Sequence, residues 1–224
     1  MARHVLLVDS RPANGATAAF DDWYDREHLP HLLGLAEIVS SRRYRAEPSI
    51  YGEMPAFEHL AVHEIDTDDL SGVFDRIRAG RPTMSPAFER GGPGLAFVQI
   101  GEQSSPDPVV TGSDQHLLLV QTQPVEGRDD EFNDWYDNFH LPHVLAVPGF
   151  VSVRRFETRP GPDGALATHR YMSLYELRTN DHEATMDGLR AAAVGLRAAK
   201  SPAAGPGDIH RSYALVGAMP PLPA

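Results

Sequence analysis

Cysteine is missing from all 224 residues. Its absence excludes disulfide bonds, thiolate nucleophiles, and zinc or iron–sulfur sites built on cysteine. Long apolar runs are missing as well: residues 5–8 are too short a run for a signal peptide, and no stretch reaches the length of a membrane span. From these absences we expect a soluble protein of the cytoplasm with no membrane partner.

Clusters of basic residues are also missing. The net charge is −11 and no five like charges follow one another, so we expect no nucleic-acid partner. The sequence has no phosphate loop of the form GxxxxGK[ST], no GxSxG nucleophile motif and no dinucleotide fingerprint. The glycines at 91–94 fall between a predicted helix and a predicted strand and indicate a turn. We therefore predict that the protein uses no cofactor.

An unusual string of twelve residues is present twice. FDDWYDREHLPH occupies residues 20–31 and FNDWYDNFHLPH residues 132–143, with nine identities at an offset of 112. Shorter segments match at the same offset, such as VSSRRY from residue 39 and VSVRRF from residue 151. Two copies of a unit of about a hundred residues predict tandem domains rather than a solenoid. We place them at residues 1–104 and 113–219, with a linker around 102–112.

Each copy carries the same order of helix and strand signals. Thr17 and Asp129 are candidate N-caps for helices that end near Leu33 and Leu145. Apolar or alternating runs predict strands, and second helices follow: strands at 5–9, 39–45, 59–65, 95–100, 171–176 and 211–216, helices at 68–78 and 181–199. The order is that of a ferredoxin-like βαββαβ unit, which leaves one sheet face uncovered. The second copy can cover that face, so we predict an α+β fold.

The repeated string places ring side chains on one face of its helix. Tyr24 and His28 are four residues apart and His31 follows three later, as do Tyr136, His140 and His143 in the second copy. Trp23 and Trp135 lie beside that face. Pro30 and Pro142 lack the N–H that a helix needs there, so we expect a kink or a break next to the histidine. Such a face can simply fill a core, but unpaired imidazole and phenol groups are costly to bury.

The string resembles the EthD-like family at WYDxxHLPHxL and at the arginine pair with an aromatic that follows it (RRY and RRF). The second copy also has the PGF turn at 148–150, where the first has AEI. The resemblance spans about 4–101 and 116–217. It implies the dimeric α+β barrel superfamily, here closed within one chain, and a pocket for small hydrophobic, often aromatic or polyketide-like, molecules. It also implies activities ranging from decarboxylation, dehydration, isomerisation and cyclisation to oxygenation without a cofactor.

Two strands carry polar rings on one face. His59 and His63 alternate with leucine and valine, and Tyr171 and Tyr175 alternate with methionine and leucine. We expect the apolar face to pack on the helices and the ring face to line the barrel, giving two unequal pockets. An edge position for the histidines is the alternative.

These groups together suit proton transfer next to a carbonyl. We predict a cofactor-independent lyase, isomerase or cyclase for a small hydrophobic carbonyl compound, with His28, His140, Tyr24 and Tyr136 as catalytic residues. The predicted binding residues form a larger group: His31, His59, His63, His143, Tyr171, Tyr175, Trp23, Trp135, Arg43 and Arg155. The arginines would hold a carboxylate or enolate, unless they lie on a solvated face.

Three other readings stay open at this point. The chain could be a non-catalytic binding protein, a cofactor-free oxygenase, or a structural pair of domains with degenerate pockets. A metal held by His28 and His31 with Asp25 is disfavoured because Pro30 distorts the spacing, and no axial histidine for a haem can be picked out. We predict no metal, and we leave open whether two chains form a further homodimer.

Overall fold

The computed structural model describes residues 1–80 and 83–219. The first half contains β1 (Ala2–Pro12), α1 (Thr17–Trp23), α2 (Leu29–Leu32), β2 (Ile38–Glu47), β3 (His59–Thr67), α3 (Leu70–Ala79), β4 (Phe88–Arg90) and β5 (Leu95–Ser104). The second contains β6 (Gln115–Thr122), α4 (Asp129–Trp135), α5 (Leu141–Leu145), β7 (Phe150–Arg159), β8 (Tyr171–Arg178), α6 (His182–Ala198) and β9 (Ile209–Met219). Wider, π-helical segments join α1 to α2 (Tyr24–His28) and α4 to α5 (Tyr136–His140).

The strands close into one antiparallel barrel. Their order is β3-β2-β9-β6-β8-β7-β5-β1, and β1 pairs with β3 to complete the circle. Each half contributes four neighbouring strands in the ferredoxin-like order, β5-β1-β3-β2 and β9-β6-β8-β7. The last strand of each half pairs with the second strand of the other, β9 with β2 and β5 with β7. The predicted fold is confirmed: two tandem βαββαβ repeats form a dimeric α+β barrel within one chain.

Several predicted element boundaries need correction. The short strand β4 was not expected, and β5 extends to Ser104, into the segment predicted as linker. Thr17 and Asp129 are the first residues of their helices, not the caps, which are Ala16 and Arg128. Asp129 instead bonds outward, to the Arg170 guanidinium at 2.9 Å. The domain boundaries themselves stay a prediction.

Within the described part of the chain, no helix has the length and apolar character to cross a bilayer.

The apolar core has two kinds of compartment. One cluster joins strand residues from both halves and contains no helix residue, so it fills the barrel; it includes Val5, Leu60, Val62, Leu117, Met172 and Leu174. The others lie between the sheet and the helices of a single half. In the second half this layer includes Phe132, Tyr136, Tyr175 and Leu189. Residues on the two faces of one strand therefore enter different cores.

Candidate active site

The ring faces of β3 and β8 point toward the helices and not into the barrel. Leu60 and Val62 join the barrel core, whereas the His63 ring approaches the His28 ring to 6.5 Å between centroids. Tyr175 likewise meets Tyr136 of the bent helix, with 3.3 Å between the hydroxyl oxygens. The predicted orientation was therefore wrong. A two-residue period shows which side chains share a face, but both faces of these strands are buried, so burial cannot tell which one lies inside the barrel.

The repeated string forms a helix that widens without breaking. Leu29 donates its N–H to the carbonyl of Tyr24, five residues back, and Leu141 does the same to Tyr136. The wider turn accommodates Pro30 and its counterpart Pro142, which have no N–H to donate. The expected kink or break is thus replaced by a π-helical segment that ends at the histidine. Single π-turns of this kind frequently occur at functional sites.

Two buried arginines fasten the bent helices to the sheet. Arg43 donates to the Asp25 carboxylate at 2.7 Å and to that of Asp21. Arg155 donates to Asp137 at 2.8 Å and, at 2.7 Å, to the side-chain oxygen of Asn133. Each guanidinium also lies 4.6 Å from the centroid of the helix tyrosine. The arginines are therefore neither solvated nor aimed at a ligand, and the predicted role as substrate clamps is not supported by their contacts.

A cavity of about 200 Å³ lies under the bent helix of the second half. We call it the second-half cavity. Its aromatic and polar wall consists of Trp135, His140, Tyr175, Lys200, Asp208 and His210, and its apolar wall includes Leu118 and Val144. Ile50 and Tyr51 of the β2–β3 loop reach over from the first half to close one side. The site is thus completed by both repeats.

A chain of hydroxyl groups ends at this cavity. Ser173 donates to the Tyr136 hydroxyl at 3.2 Å, and the Tyr136 and Tyr175 hydroxyls are in hydrogen-bond contact. Burial raises the pKa of both phenols, that of Tyr175 well above its ordinary value. An ordinary phenol is already neutral near pH 7, and the raised pKa values keep both groups protonated to higher pH. Tyr175, at the cavity wall, can then donate a hydrogen bond to a ligand oxygen.

His140 is the candidate base of the same cavity. Burial, followed by the positive charges of His210 and Arg155, lowers its pKa from 6.5 to about 4. The imidazole is therefore neutral at physiological pH. Its Nδ1 is buried and has no hydrogen-bond partner among residues 1–80 and 83–219. The ring lies 4.6 Å from the Tyr136 ring, which fixes it beside the hydroxyl chain.

The equivalent first-half cavity is similar in size and different in chemistry. It measures about 190 Å³ and is lined by His28, His31, His63, Arg78 and Arg90, with apolar neighbours such as Phe74. Burial lowers the pKa of His63 to about 3, and its Nδ1 shares a 2.8 Å hydrogen bond with the Ser41 hydroxyl. Trp23 stacks on His28 at 4.7 Å. Tyrosine is absent from the described lining, so the expectation of two unequal pockets agrees with this geometry.

Other predicted residues lie away from both cavities. His59 is buried against the Phe20 ring at 5.0 Å, and burial lowers its pKa. The Tyr171 hydroxyl donates to Asp129 at 3.1 Å. His143 is exposed and its Nδ1 contacts the backbone carbonyl of Phe139 at 2.6 Å. Tyr24 is fully buried, with a pKa raised by burial to about 12.

Sequence reasoning missed several polar residues of the second-half cavity that have no polar counterpart in the first half. Lys200 and His210 of the second-half cavity correspond, at the offset of 116 that holds there, to Met84 and Gly94 of the first. Comparison of the two repeats therefore did not identify Lys200 and His210 as candidate site residues. The loops that cross between halves carry no local motif either. One signal was present: Arg78 and Arg190 stand 112 positions apart, and both bind the opposite loop.

No protein-family model matches the sequence, and no curated protein matches it. Solved structures do resemble it in fold. An anthrone oxidase-like protein is 12% identical with a TM-score of 0.62 over 97% of this chain and 92% of that chain. A protein from Fusobacterium nucleatum named as a monooxygenase is 7% identical with a TM-score of 0.61 over 97% and 94%. A variant chlorite dismutase from Candidatus Nitrospira defluvii is 11% identical with a TM-score of 0.56 over 95% and 92%.

These structures share the dimeric α+β barrel, and at such identities the likeness concerns the fold alone. The EthD-like resemblance of the repeated string stays a prediction. Haem does not fit the two cavities. At about 190 and 200 Å³ they are smaller than the roughly 300–1,000 Å³ pockets that hold drug-sized ligands.

Proposed function

We propose that this chain is an EthD-like, cofactor-independent enzyme that moves a proton next to the carbonyl of a compact hydrophobic molecule in the second-half cavity. The observation that carries the proposal is the pairing of His140, whose buried Nδ1 has no partner in the described chain, with the hydroxyl chain that ends at Tyr175. Both side chains line the same cavity of about 200 Å³. A neutral imidazole and a neutral phenol are the base and the hydrogen-bond donor that enolisation requires.

The step balances without an external reagent. A ring nitrogen of His140 takes the proton from the carbon next to the carbonyl, and the C–H electron pair forms the carbon–carbon double bond of an enolate. The carbonyl π electrons move to the oxygen, which accepts a hydrogen bond from Tyr175. Return of the proton to another carbon gives an isomer, expulsion of a leaving group gives a lyase product, and attack on a second carbonyl gives a ring.

Desolvation helps this assignment although a pKa of about 4 describes a weak base. The same dry surroundings that disfavour an isolated imidazolium strengthen its attraction to a nearby enolate. The enolate formed in the reaction therefore supplies a counter-charge for the imidazolium. Tyr175, whose pKa burial keeps well above the ordinary phenol value, donates to the enolate without losing its proton.

The second-half cavity fits this chemistry better than the first-half one. At the position equivalent to Tyr175 the first half has His63, which already bonds Ser41. Its other polar wall residues include Arg90, which is paired with Asp163 at 2.9 Å. A second imidazole in place of the phenol removes the neutral hydroxyl donor. We propose that the first-half cavity contributes less to turnover or none.

A cofactor-free oxygenase is the second candidate. Its support comes from the names of two proteins of similar fold, one anthrone oxidase-like and one a monooxygenase. An enolate formed by His140 is electron-rich and can react with dioxygen. With anthrone the balanced outcome is anthraquinone and water from one anthrone and one dioxygen. A carrier that binds such a molecule without turnover is the remaining alternative, and a cytoplasmic location stays a prediction.

Anthrone in D₂O buffer tests both steps, because its carbonyl, conjugated through the flanking aromatic rings, acidifies the methylene protons at the opposite carbon of the central ring. Deuterium incorporation at that carbon under argon, followed by NMR, reports proton transfer. Oxygen uptake in air with no added metal or flavin reports oxygenation. A panel of smaller aryl ketones under the same conditions extends the test to other compact carbonyl compounds. Trp135 lines the cavity, so its fluorescence reports binding.

Three variants separate catalysis from binding. His140→Ala and Tyr175→Phe should retain ligand binding while turnover falls by about 10²–10⁴-fold, the usual contribution of a positioned acid or base. Tyr213→Phe is the matched control, because Tyr213 lies in the barrel core and outside the cavity. Binding without exchange or oxygen uptake in the wild-type protein would establish a carrier. Equal turnover in all three variants would remove His140 and Tyr175 from the mechanism.

A further inference from the structure

Another group of ionisable side chains lies outside both cavities, where the two halves meet. Glu47 ends β2 of the first half, His116 lies on β6, and His182 is the first residue of α6. The Nδ1 atom of His116 is 2.7 Å from a carboxylate oxygen of Glu47. The Nε2 atom of His182 is 3.7 Å from the same oxygen. Three elements from both repeats thus bring two imidazoles and one carboxylate together.

The spacing of these atoms suits a single metal ion. One donor atom from each residue lies within 4.8 Å of the other two. In a tetrahedral zinc site with bonds of about 2.05 Å, neighbouring donor atoms are about 3.3 Å apart. The observed 2.7 and 3.7 Å contacts bracket that value, so small side-chain rotations suffice. The two imidazole rings are stacked with centroids 5.2 Å apart, which places them side by side along the carboxylate.

The surroundings hold the donors in place as they do in protein metal sites. The other ring nitrogen of His116 contacts the backbone carbonyl of Thr179 at 3.1 Å, which favours a proton on Nε2 and directs Nδ1 toward Glu47. Metal-bound histidines typically have such a carbonyl or carboxylate partner on the second nitrogen. The Asp181 carboxylate accepts the N–H of Ala184 at 2.9 Å and so fixes the first turn of α6, where His182 stands.

The duplicated positions of the first half provide an internal comparison. At the offset of 112, His116 corresponds to His4, His182 to Leu70 and Glu47 to Arg159. These three counterparts also lie together, around one surface pocket. Only one of them is a metal-binding residue type, and an arginine replaces the carboxylate. The donor set is therefore specific to one end of the barrel and is not a packing feature common to both repeats.

We propose that Glu47, His116 and His182 bind one Zn²⁺ ion that links the first repeat to the second. Two imidazoles and a carboxylate are a known zinc donor set, with a water molecule as fourth ligand. The side chains of the three residues are 23%, 9% and 12% exposed, so the ion can enter and is shielded on most sides. Because the ligands come from both repeats, the ion stabilises the closed barrel. This site is independent of the proposed catalysis.

The test uses the full-length chain after treatment with EDTA and dialysis. Titration with Zn²⁺ in a calorimeter and metal analysis after gel filtration should give about one ion per chain. Co²⁺ in the same site should give the visible absorption of a four-coordinate ion. Saturating Zn²⁺ should raise the melting temperature. His182→Ala should weaken zinc binding at least about tenfold, the lower end of what even outer-shell changes cost, and should abolish the thermal shift.

Glu47→Gln is the second variant, because it keeps the size of the side chain and removes its charge, and it should weaken binding by at least a similar factor. His169→Ala is the control, since the chain has 11 histidines and any of them can bind zinc weakly. It should keep the stoichiometry, the spectrum and the thermal shift of the wild type. Equal zinc affinity in all four proteins would assign the binding to other histidines. No binding to the wild type would show that the cluster is an ion pair only. Either result overturns the proposal.

Discussion

Arg190 on α6 donates to the backbone carbonyl of Ile50 at 3.0 Å, although 140 positions separate the two residues. Arg78 on α3 makes the equivalent bond, at 2.8 Å, to the carbonyl of Pro162. Ile50 lines the second-half cavity and Pro162 the first-half one. Each half therefore holds a loop of its partner over its own cavity. This exchange explains why neither repeat would enclose a complete site alone.

Replacing Arg190 should loosen the loop over the second-half cavity. In Arg190→Leu we expect faster amide exchange at residues 49–53, where Ser49 and Gly52 donate the local turn bonds. Loss of the bond to Ile50 lowers the free energy needed to open this loop locally. The decrease is about 1.5–3 kcal/mol at most, the net contribution of a hydrogen bond from a charged donor. Hydrogen–deuterium exchange with mass spectrometry measures the effect. Arg78→Leu is the matched control, which should loosen residues 160–164 instead. Identical exchange patterns in the two variants would contradict the assignment.

The buried arginines Arg43 and Arg155, which hold the bent helices on the sheet, should stabilise both halves of the folded protein. Arg155→Met removes the donors to Asp137 and Asn133 while keeping an apolar side chain of similar length. Asp137 is 42% exposed and can be rehydrated, so we expect a loss of about 1.5–3 kcal/mol rather than the cost of a fully buried unpaired charge. Urea unfolding followed by circular dichroism measures it. Arg11→Met, at an exposed pair with Glu89, should cost about 1 kcal/mol or less. If Arg155→Met is as stable as Arg11→Met, the contacts of Arg155 with Asp137 and Asn133 contribute nothing to stability.

Burial of His63 should make the protein less stable in acid. Its pKa falls from 6.5 to about 3, chiefly through burial and secondarily through the charge of His28. Between those pH values the unfolded chain binds a proton that the folded chain does not. The contribution of the neutral His63 ring to the free energy of unfolding is therefore fully present above pH 6.5. It is lost, at about 1.4 kcal/mol per pH unit, as the pH falls toward 3.

His63→Gln tests this dependence, since glutamine can still accept the Ser41 hydrogen bond and does not titrate. Urea unfolding at several pH values between 7.5 and 5 should show a shallower fall in the variant than in the wild type. His169→Gln, at a histidine outside both cavities, should keep the wild-type slope. Parallel curves for wild type and His63→Gln would mean that His63 is protonated in the folded protein.

The repeat made the architecture predictable, and alternating strands such as β3 and β8 could be placed within a few residues. Their orientation could not, because Leu60 and His63 are both buried and the sequence does not reveal which core is which. The helix geometry around Pro30 was equally unpredictable from the sequence, since a missing N–H can be accommodated by a break or by a wider turn. Only packing of the bent helix against the sheet decides between them.

The candidate site was predictable where the repeated string or the strand alternation marks a residue, and unpredictable elsewhere. His140, Tyr136 and Tyr175 followed from the repeated string and from strand alternation. His210 and Tyr51 did not, because they reach the cavity from a distant strand and from the other half. Contacts between the two halves depend on closure of the barrel, which is a property of the whole chain.

The pH dependence of turnover should identify His140 as the base. Its neutral form is the active one, so kcat/KM should stay constant on acidification and fall only near pH 4, not near the ordinary 6.5. The charge of His210 is the second cause of this low pKa, after burial. Removing it in His210→Gln makes protonation of His140 easier and should move the acidic limb to higher pH. His169→Gln, whose ring is not among the charges acting on His140, should leave the limb in place. A limb that stays near pH 4 in His210→Gln would mean that the titrating group is elsewhere, and His140 would lose its assignment as the base.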